Sequence, residues 1–373
     1  MPHVNKEMIS FFLTTKCNLN CIYCYNIEER EALAEYTLPF DVARAGIDWW
    51  FATTTNRHVR FYGPGEPTRE WRLMSQIVEY ARQASDGVTV EIQTNGVFGP
   101  KPRSWMLDNI NVMWLSFDGP PDIQNHNRPV GGIHPSAPII EKNVVWLVAS
   151  KRDRDLMVGA RITITDDNSD RQVEMVDYFY GLGIRHVWTN PLFFCVGGVP
   201  VYRDPEKLAK YHFDMNTYLD HYISAYQYAK RKGMFWGSFL AVNFDGRSPF
   251  HCRACIPAPH LTPDGYVSAC DMVVLGRDAH HMDCFIYGRW NQERRKFDFD
   301  EEKIAALRGR STDSPSLAHC QQCVARYHCG GYCLGEVVNE TGRLNGVPKN
   351  CAAVRRLIQE VGVLSEQYPY LHP

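Results

Sequence analysis

Three cysteines lie close together near the start of the chain, directly after a short strand-like run. Cys17, Cys21 and Cys24 are separated by three and two residues in TKCNLNCIYC, and the run Met8-Ile-Ser-Phe-Phe-Leu-Thr14 precedes them. Three thiolates on one short loop can bind three irons of a 4Fe-4S cluster and leave the fourth iron open to another ligand, such as a small molecule. Zinc ligation, or a set of buried thiols, is the alternative interpretation.

The composition fits a globular protein that depends on neither membranes nor nucleic acid. The chain has 373 residues, enough for about two domains. Its formal net charge of −2 provides no basic field for nucleic acid or anionic lipid. No secretory signal is apparent, and no apolar run approaches the roughly 20 residues of a membrane span. Thirteen cysteines in such a chain favour metal ligation in the reducing cytoplasm over disulfides.

Short β-branched or aromatic runs alternate with longer amphipathic segments in the first half, as in parallel β/α units. The predicted strands are 8–14, 58–62, 88–93, 112–117, 157–164 and 185–189. The predicted helices are near 39–54, 69–84, 102–109, 137–150 and 171–181. Six units predict an α/β fold, a partial (β/α)6 barrel of the TIM type with an open side suited to a large substrate.

Unusual residues follow several predicted strands. Gly63-Pro-Gly-Glu-Pro67, Gln93-Thr-Asn-Gly96 and Ser116-Phe-Asp-Gly119 follow the second, third and fourth strands, and Arg161 lies in the fifth. Chain reversal would explain any one of these turns. Because catalytic groups of β/α barrels lie at the carboxyl ends of the strands, their common position favours a ligand site.

Together, the cysteine loop and these motifs resemble the radical S-adenosylmethionine (SAM) enzymes. In that family the methionine part of SAM chelates the open iron, and reductive cleavage of the sulfonium gives a 5′-deoxyadenosyl radical. Pro64 stands where the family motif Gly-Gly-Glu-Pro has a glycine. The resemblance implies that the SAM-binding residues are Tyr23, Gly63, Gly65, Glu66, Asn95, Ser116 and Arg161.

The last third of the chain carries a second cysteine pattern. After Cys255 and Cys270, the run from Cys320 to Cys333 reads C-x2-C-x5-C-x3-C, and Cys351 follows. This pattern resembles the small SPASM domain, which holds two auxiliary 4Fe-4S clusters in its family; paired zinc sites are the alternative. The resemblance assigns one cluster to Cys255, Cys270 and Cys333, with Cys252, Cys284 or an open position as fourth ligand, and the other to Cys320, Cys323, Cys329 and Cys351. The expected domains are a barrel at 1–195, a helical linker at 196–250 and a SPASM domain at 251–373.

Asp271 directly follows Cys270, in a segment similar to one in the anaerobic sulfatase-maturating enzymes. The matching aspartate is the catalytic base there, whereas a residue that solvates the cluster loop is the alternative here. This chain lacks an additional cysteine that those enzymes carry between the positions matching Cys255 and Cys270.

The resemblance implies three 4Fe-4S clusters, SAM, and an external electron donor such as flavodoxin or ferredoxin. The expected activity is that of an oxidoreductase that matures a ribosomal peptide or protein. It would abstract hydrogen from a side chain and then oxidise or crosslink it, with formylglycine among the candidate products. Dehydrogenation of a small molecule is the enzymatic alternative. An iron-sulfur electron carrier or interaction module is the non-enzymatic one.

Overall fold

A largely parallel sheet forms the centre of the computed structural model, which describes residues 7–25, 35–151, 154–193, 195–196, 199–200, 205–241, 247–277 and 279–361. Six strands alternate with helices, as the sequence predicts. The strands are β1 (Ile9–Phe12), β2 (His58–Tyr62), β3 (Thr89–Thr94), β4 (Val112–Ser116), β5 (Met157–Ile164) and β6 (His186–Pro191). The helices among them are α1 (Phe40–Thr53), α2 (Trp71–Ala84), α3 (Pro100–Asn109), α4 (Pro121–Asn127), α5 (Ala137–Ser150) and α6 (Gln172–Gly181).

Apolar residues hold these layers together. All four residues of β1 are buried, as expected for a strand covered on both faces. Helix α2 buries Met74, Ile77, Val78 and Ala81, which recur at the spacing of one helical face. Because β1 to β6 pair in parallel and in chain order, their carboxyl ends lie along one edge of the sheet.

The segment predicted as a helical linker contains two helices and also a seventh parallel strand. The hairpin β7 (Cys195–Val196) and β8 (Val199–Pro200) leads to α7 (Pro205–Lys210) and α8 (Met215–Arg231). Asp214 caps α8 by accepting from the backbone N–H groups of the first turn. Strand β9 (Phe235–Ser238) then pairs in parallel with β6. Strand β9 is not among the strands predicted from the sequence.

The C-terminal part continues the same sheet. Strands β10 (His260–Leu261), β11 (Tyr266–Ser268), β12 (Ile286–Asn291) and β13 (Lys296–Phe299) form an antiparallel meander. Strand β10 pairs in parallel with β1, so within the described residues one sheet of eleven strands spans both halves of the chain.

Short helices and turns carry the remaining cysteines. The helices are α9 (Glu301–Arg308), α10 (Arg326–Cys329), α11 (Leu334–Thr341) and α12 (Cys351–Val361). Across the described parts of the chain, no helix combines the length and apolar character that a membrane crossing requires.

Candidate active site

One cavity of about 270 Å³ lies at the carboxyl ends of the parallel strands. Both halves of the chain form its wall. The predicted residues that line it are Cys17, Cys21, Tyr23, Cys24, Gly63, Gly65, Glu66, Asn95, Ser116, Arg161, Cys252, Cys270, Asp271 and Cys333. The predicted residues outside its wall, all in the described part of the chain, are Cys255, Cys320, Cys323, Cys329 and Cys351. The fold therefore gathers the first cysteine loop, the SAM-binding candidates and part of the C-terminal cysteine set around one space.

Hydrogen-bond donors surround the sulfur atoms of the first cysteine loop. The Leu19 backbone N–H donates to Cys17 Sγ at 3.5 Å, and the Asn95 side-chain amide donates to it at 3.8 Å. The Arg128 guanidinium donates to Cys21 Sγ at 3.9 Å. Burial raises the pKa of the Cys21 thiol to about 12, and the charge of Arg128 opposes that rise. Donors of this kind stabilise thiolates as metal ligands.

A second loop braces the cysteine loop from outside. The Asn20 backbone N–H donates to the Pro129 carbonyl at 2.9 Å, and the Ile22 N–H donates to the Asn127 carbonyl at 3.0 Å. The chain after α4 therefore sets the position of the loop that carries the first thiols.

The Asp118 carboxylate connects the cysteine loop to the loop after α4 and to β5. The Tyr23 hydroxyl donates to one of its oxygens, and Arg128 Nε lies 3.1 Å from the same oxygen. The Asn127 side-chain amide donates to that oxygen at 3.2 Å, and the Thr163 backbone N–H donates to the other oxygen at 3.1 Å. Sequence reasoning missed Asp118 and Arg128 as site residues, although the position of Asp118 just after a strand was the available signal.

Glu66 is buried, with 2% of its surface exposed. Its two carboxylate oxygens accept different numbers of hydrogen bonds. Oε1 accepts from the Thr68 N–H at 3.0 Å and from the hydroxyls of Thr68 and Thr94, both at 2.6 Å. Oε2 accepts from the Asn95 N–H at 2.7 Å. Burial raises the pKa of Glu66, while these donors oppose the rise. Since an oxygen accepts more than one bond, Oε2 can also accept from a ligand ammonium group.

Gly65 joins the Glu66 loop to the first cysteine loop. Its N–H donates to the Thr14 carbonyl at 3.1 Å, and the Glu66 N–H donates to the Lys16 carbonyl at 2.8 Å. A Cβ atom at Gly65 would lie 2.3 Å from the Lys16 oxygen and 2.5 Å from the Thr14 oxygen. A side chain at position 65 would therefore collide with the backbone of the first cysteine loop, so the packing of these two loops requires glycine here.

Ser116, the last residue of β4, is the cross-strand partner of Arg161, which lies within β5. Arg161 is 8% exposed, and neither its Nε nor its Nη2 has a hydrogen-bond partner among the described residues. Burial and the charge of Arg60 lower its pKa to about 10. A buried guanidinium that has two unpaired nitrogen atoms within the described part of the chain suits the carboxylate of a ligand.

Two guanidinium groups and one imidazole surround the Asp271 carboxylate, which is predicted as the base. Arg60 Nη1 lies 3.0 Å from both of its oxygens, Arg253 Nη2 lies 3.2 Å from one, and His260 Nδ1 lies 3.3 Å from the other. Burial alone would raise the pKa of Asp271, but Arg60 and Arg253 hold it well below its usual range. A carboxylate of lowered pKa is a weak proton acceptor.

The thiols of Cys270 and Cys333 face the cavity beside Cys252. Burial raises the pKa of Cys270 well above its usual value, and the neighbouring Cys252 and Cys284 raise it further. A Cβ atom at Gly335 would lie 3.2 Å from Cys270 Sγ, so the glycine leaves room beside this sulfur. Both candidates for a fourth ligand, Cys252 and Cys284, thus lie near Cys270.

Cys255 lies outside the cavity wall, close in sequence to Cys252. It is 1% exposed, and its backbone N–H donates to the Cys252 carbonyl at 3.3 Å. One tight turn therefore presents both Cys252 and Cys255 to the same region of the C-terminal half.

The other four predicted ligands form a separate group. Burial raises the pKa of Cys320 to about 11, with contributions from Cys351 and Cys323. It raises the pKa of Cys329 to about 12, with contributions from Cys320 and Cys351. Arg310, which is 1% exposed and which sequence reasoning missed, lowers the pKa of Cys320. Thiols grouped beside a buried cation fit an anionic cluster.

These donor sets suit iron-sulfur clusters and SAM. Thiols with N–H donors suit iron, the Glu66 carboxylate suits an ammonium group, and the Arg161 guanidinium suits a carboxylate. The cavity wall therefore carries side chains of the types that bind a metal cluster and an amino acid derivative. Within the described residues, no three His, Cys, Asp or Glu side chains already form a site for a single metal ion.

Comparison with solved structures finds the same fold elsewhere. The anaerobic sulfatase-maturating enzyme anSMEcpe with bound AdoMet superposes with a TM-score of 0.71 at 15% identity, covering 95% of this chain and 93% of that chain. Its complex with AdoMet and the Cp18Cys peptide gives a TM-score of 0.71 at 16% identity, covering 95% and 96%. Streptococcus suis SuiB bound to its precursor peptide SuiA gives 0.61 at 14% identity, covering 92% and 75%.

About half of the chain is also similar in sequence to a curated protein. An uncharacterized protein of Methanocaldococcus jannaschii is 25% identical over 178 residues, which is 47% of this chain. The match spans 59% of the length of that curated relative. No protein-family model matches the chain.

Proposed function

Because the chain has the fold of the radical SAM/SPASM enzymes, we propose that it modifies a side chain of a peptide or protein by radical chemistry. Hydrogen abstraction would be followed by oxidation or crosslinking of that side chain. One observation carries the proposal: a single cavity is lined by the first cysteine loop, the SAM-binding candidates and thiols of the C-terminal half. When bound, the clusters and SAM supply the 5′-deoxyadenosyl radical and a route for the released electron.

The residues of the first half would bind and orient the cofactor. Cys17, Cys21 and Cys24 would hold the first cluster, while Glu66 and Arg161 would orient the amino and carboxylate groups of SAM. The free capacity of Glu66 Oε2 supports this assignment, as do Nε and Nη2 of Arg161, which have no hydrogen-bond partner among the described residues.

The C-terminal cysteines would hold two auxiliary clusters. One would use Cys255, Cys270 and Cys333, with Cys252 as the fourth ligand because it lies beside Cys270 and Cys333. The other would use the second group of thiols, which are Cys320, Cys323, Cys329 and Cys351. The catalytic role of Asp271 stays a prediction, and its ion pairs weaken the carboxylate as a base.

A peptide is the proposed substrate class. The structures of anSMEcpe with Cp18Cys and of SuiB with SuiA, both of the same fold, contain peptides. A formylglycine-type oxidation or a crosslink would each be readable from the mass of the modified peptide. An external flavodoxin or ferredoxin would supply electrons.

Release of 5′-deoxyadenosine tests the proposal. The protein is purified without oxygen, reconstituted with iron and sulfide, reduced, and supplied with SAM. We expect deoxyadenosine from the wild-type protein and none from Cys24→Ala, which removes one ligand of the first cluster. A fully clustered wild-type protein that forms no deoxyadenosine would contradict the enzymatic proposal and favour an electron carrier.

A further inference from the structure

A second cavity of about 290 Å³ opens beside the candidate active site. Pro191, Leu192, Phe193 and Phe239 line both cavities, so the two spaces adjoin. The far side of the second cavity belongs to the C-terminal half of the chain. A ligand that fills the first cavity can therefore extend into the second.

Aromatic rings form much of the wall. Tyr211 and Phe213 stack with ring centroids 6.4 Å apart and planes 10° apart. Phe193 and Phe239 meet edge to face at 5.5 Å, and Tyr332 closes the C-terminal side. Rings of this kind attract cations through their electron-rich faces.

Glu336 is the only acidic residue among the described residues that line this cavity. Burial raises the pKa of its carboxyl group to about 8, and a cation bound beside it would favour the ionised form. It lies on α11, and its Oε2 is buried without a hydrogen-bond partner among the residues that the structure describes. A hydrogen bond joins Glu336 to Tyr332, whose hydroxyl in turn accepts from the Asn350 side-chain amide at 2.8 Å. Tyr332 and Asn350 thus fix the carboxyl group and leave one oxygen free for a ligand. A buried acceptor left unpaired destabilises the folded protein, so a donor from a ligand would be favoured there.

We infer that this second cavity binds a basic side chain, lysine or arginine, of the substrate peptide, with Glu336 as the group that recognises it. The inference rests on the proposed function, since it assigns a specificity residue to the same peptide substrate. Because the two cavities share a wall, the basic residue lies within a few residues of the side chain that is modified. Lys349 also lines the cavity, and its charge opposes the rise in the pKa of Glu336. Its side chain is exposed, so solvent and salt screen that charge, and a cation inside the cavity would lie in a less screened position.

Binding of small probes tests the inference without knowledge of the natural peptide. The probes are Nα-acetyl-arginine amide and its uncharged citrulline analogue, titrated by saturation-transfer NMR into the reconstituted full-length protein. We expect the arginine probe to bind with a Kd of roughly 1–10 mM and the citrulline probe about 10-fold more weakly. Glu336→Gln should weaken binding of the arginine probe about 10-fold or more, because it removes a charge-assisted hydrogen bond.

The matched control is Glu360→Gln, which removes the same charge from α12, where Glu360 pairs with Arg356 outside the cavity wall. It should leave probe binding unchanged. Equal binding of the two probes, no saturable binding of the arginine probe, or full affinity in a Glu336→Gln protein with wild-type cluster absorbance would each overturn the inference. Deoxyadenosine release by the wild-type protein, measured in parallel, reports separately on the proposed function.

Discussion

At the scale of single residues, buried charges determine what the first cavity can hold. Arg161 is a guanidinium that the fold buries without a carboxylate partner among the described residues, a cost that a ligand would offset. Asp271 is the opposite case, because two guanidinium groups already neutralise it. Arg161 is therefore available to bind a ligand carboxylate, whereas Asp271 is already paired with protein cations.

Replacing Arg161 with methionine should weaken SAM binding. A charge-assisted pair is worth about 1.5–3 kcal/mol, which corresponds to roughly 10- to 100-fold in Kd. Equilibrium dialysis of labelled SAM against reconstituted Arg161→Met protein measures the change. Arg231→Met, an exposed position on α8, is the control and should bind SAM as the wild type does. Unchanged affinity in Arg161→Met would remove the residue from the SAM site.

Replacing Asp271 with asparagine separates two roles. If the ion pairs matter most, Asp271→Asn removes a charged partner from both Arg60 and Arg253, and Arg60 keeps only Glu91 among the described acidic residues. The substitution then lowers stability by about 2–4 kcal/mol, somewhat less than for a fully buried pair. The melting temperature and the iron content would then fall. If Asp271 is the base, stability and deoxyadenosine release stay normal while the oxidised product disappears. The geometry leads us to expect the loss of stability.

The sequence predicted the ligand-bearing residues but not their partners. Cysteines and a Gly-x-Gly-Glu turn carry recognisable spacing, and strand ends locate Asn95 and Ser116. Arg161, inside the fifth strand, follows from the family resemblance alone. The Arg60–Asp271 pair joins residues 211 positions apart, which no local pattern encodes. Such contacts arise only when β2 and the turn after β11 meet in the folded sheet.

At the scale of elements, the loop after β2 and the loop after β1 form one unit. Gly65→Ala should disrupt it, because the new Cβ would lie 2.3 Å from the Lys16 carbonyl oxygen. Overpacking of this kind costs about 1–3 kcal/mol, and here it would displace the first cysteine loop. We expect less iron bound at the first site, measured by the SAM-induced change in the electron paramagnetic resonance spectrum.

Gly99→Ala provides the control for that experiment. Gly99 precedes α3, and no atom lies within 4 Å of the position its Cβ would take. It should keep normal iron content and spectrum. A normal spectrum in Gly65→Ala would show that the two loops are not coupled.

Periodicity predicted the six barrel strands and five of their helices within a few residues, because each pairs a buried run with an amphipathic helix. Strand β9 escaped prediction for a physical reason. Phe235-Trp-Gly-Ser238 is short and contains a glycine, so its sequence resembles a turn as much as a strand. It is a strand because the edge of β6 is available to pair with it.

At the scale of the whole molecule, His260 lies where the two halves meet and makes stability depend on pH. It is 0% exposed, and burial lowers its pKa to about 3. The unfolded chain takes up this proton near pH 6.5, whereas the folded protein resists it down to about pH 3. The stability contribution is therefore complete above pH 6.5 and falls as the pH drops from there towards 3.

The melting temperature should accordingly be lower at about pH 5.5 than at about pH 7.5. His260→Gln should reduce this difference, because it removes the titrating group. His126→Gln, a change of a side chain that is 60% exposed, is the control and should keep the wild-type difference. Identical pH dependence in all three proteins would contradict the assignment.

Removal of iron should loosen only part of the C-terminal half. Strands β10 to β13 belong to the main sheet, whereas the turns with Cys320, Cys323 and Cys329 would depend on metal for their folding energy. We expect hydrogen exchange after anoxic chelation to increase in 316–361 and to stay slow in α2. Equal loss of protection in β10 to β13 would show that the metal sites support the whole sheet.

The pairing of β10 with β1 also determines how the chain can be divided. A protein cut before β10 would expose the unpaired N–H and C=O groups of β1, an apolar strand that would then recruit other chains by edge-to-edge addition. The two halves are therefore not interchangeable modules, and a fragment carrying only the first cysteine loop would aggregate rather than serve as a minimal enzyme.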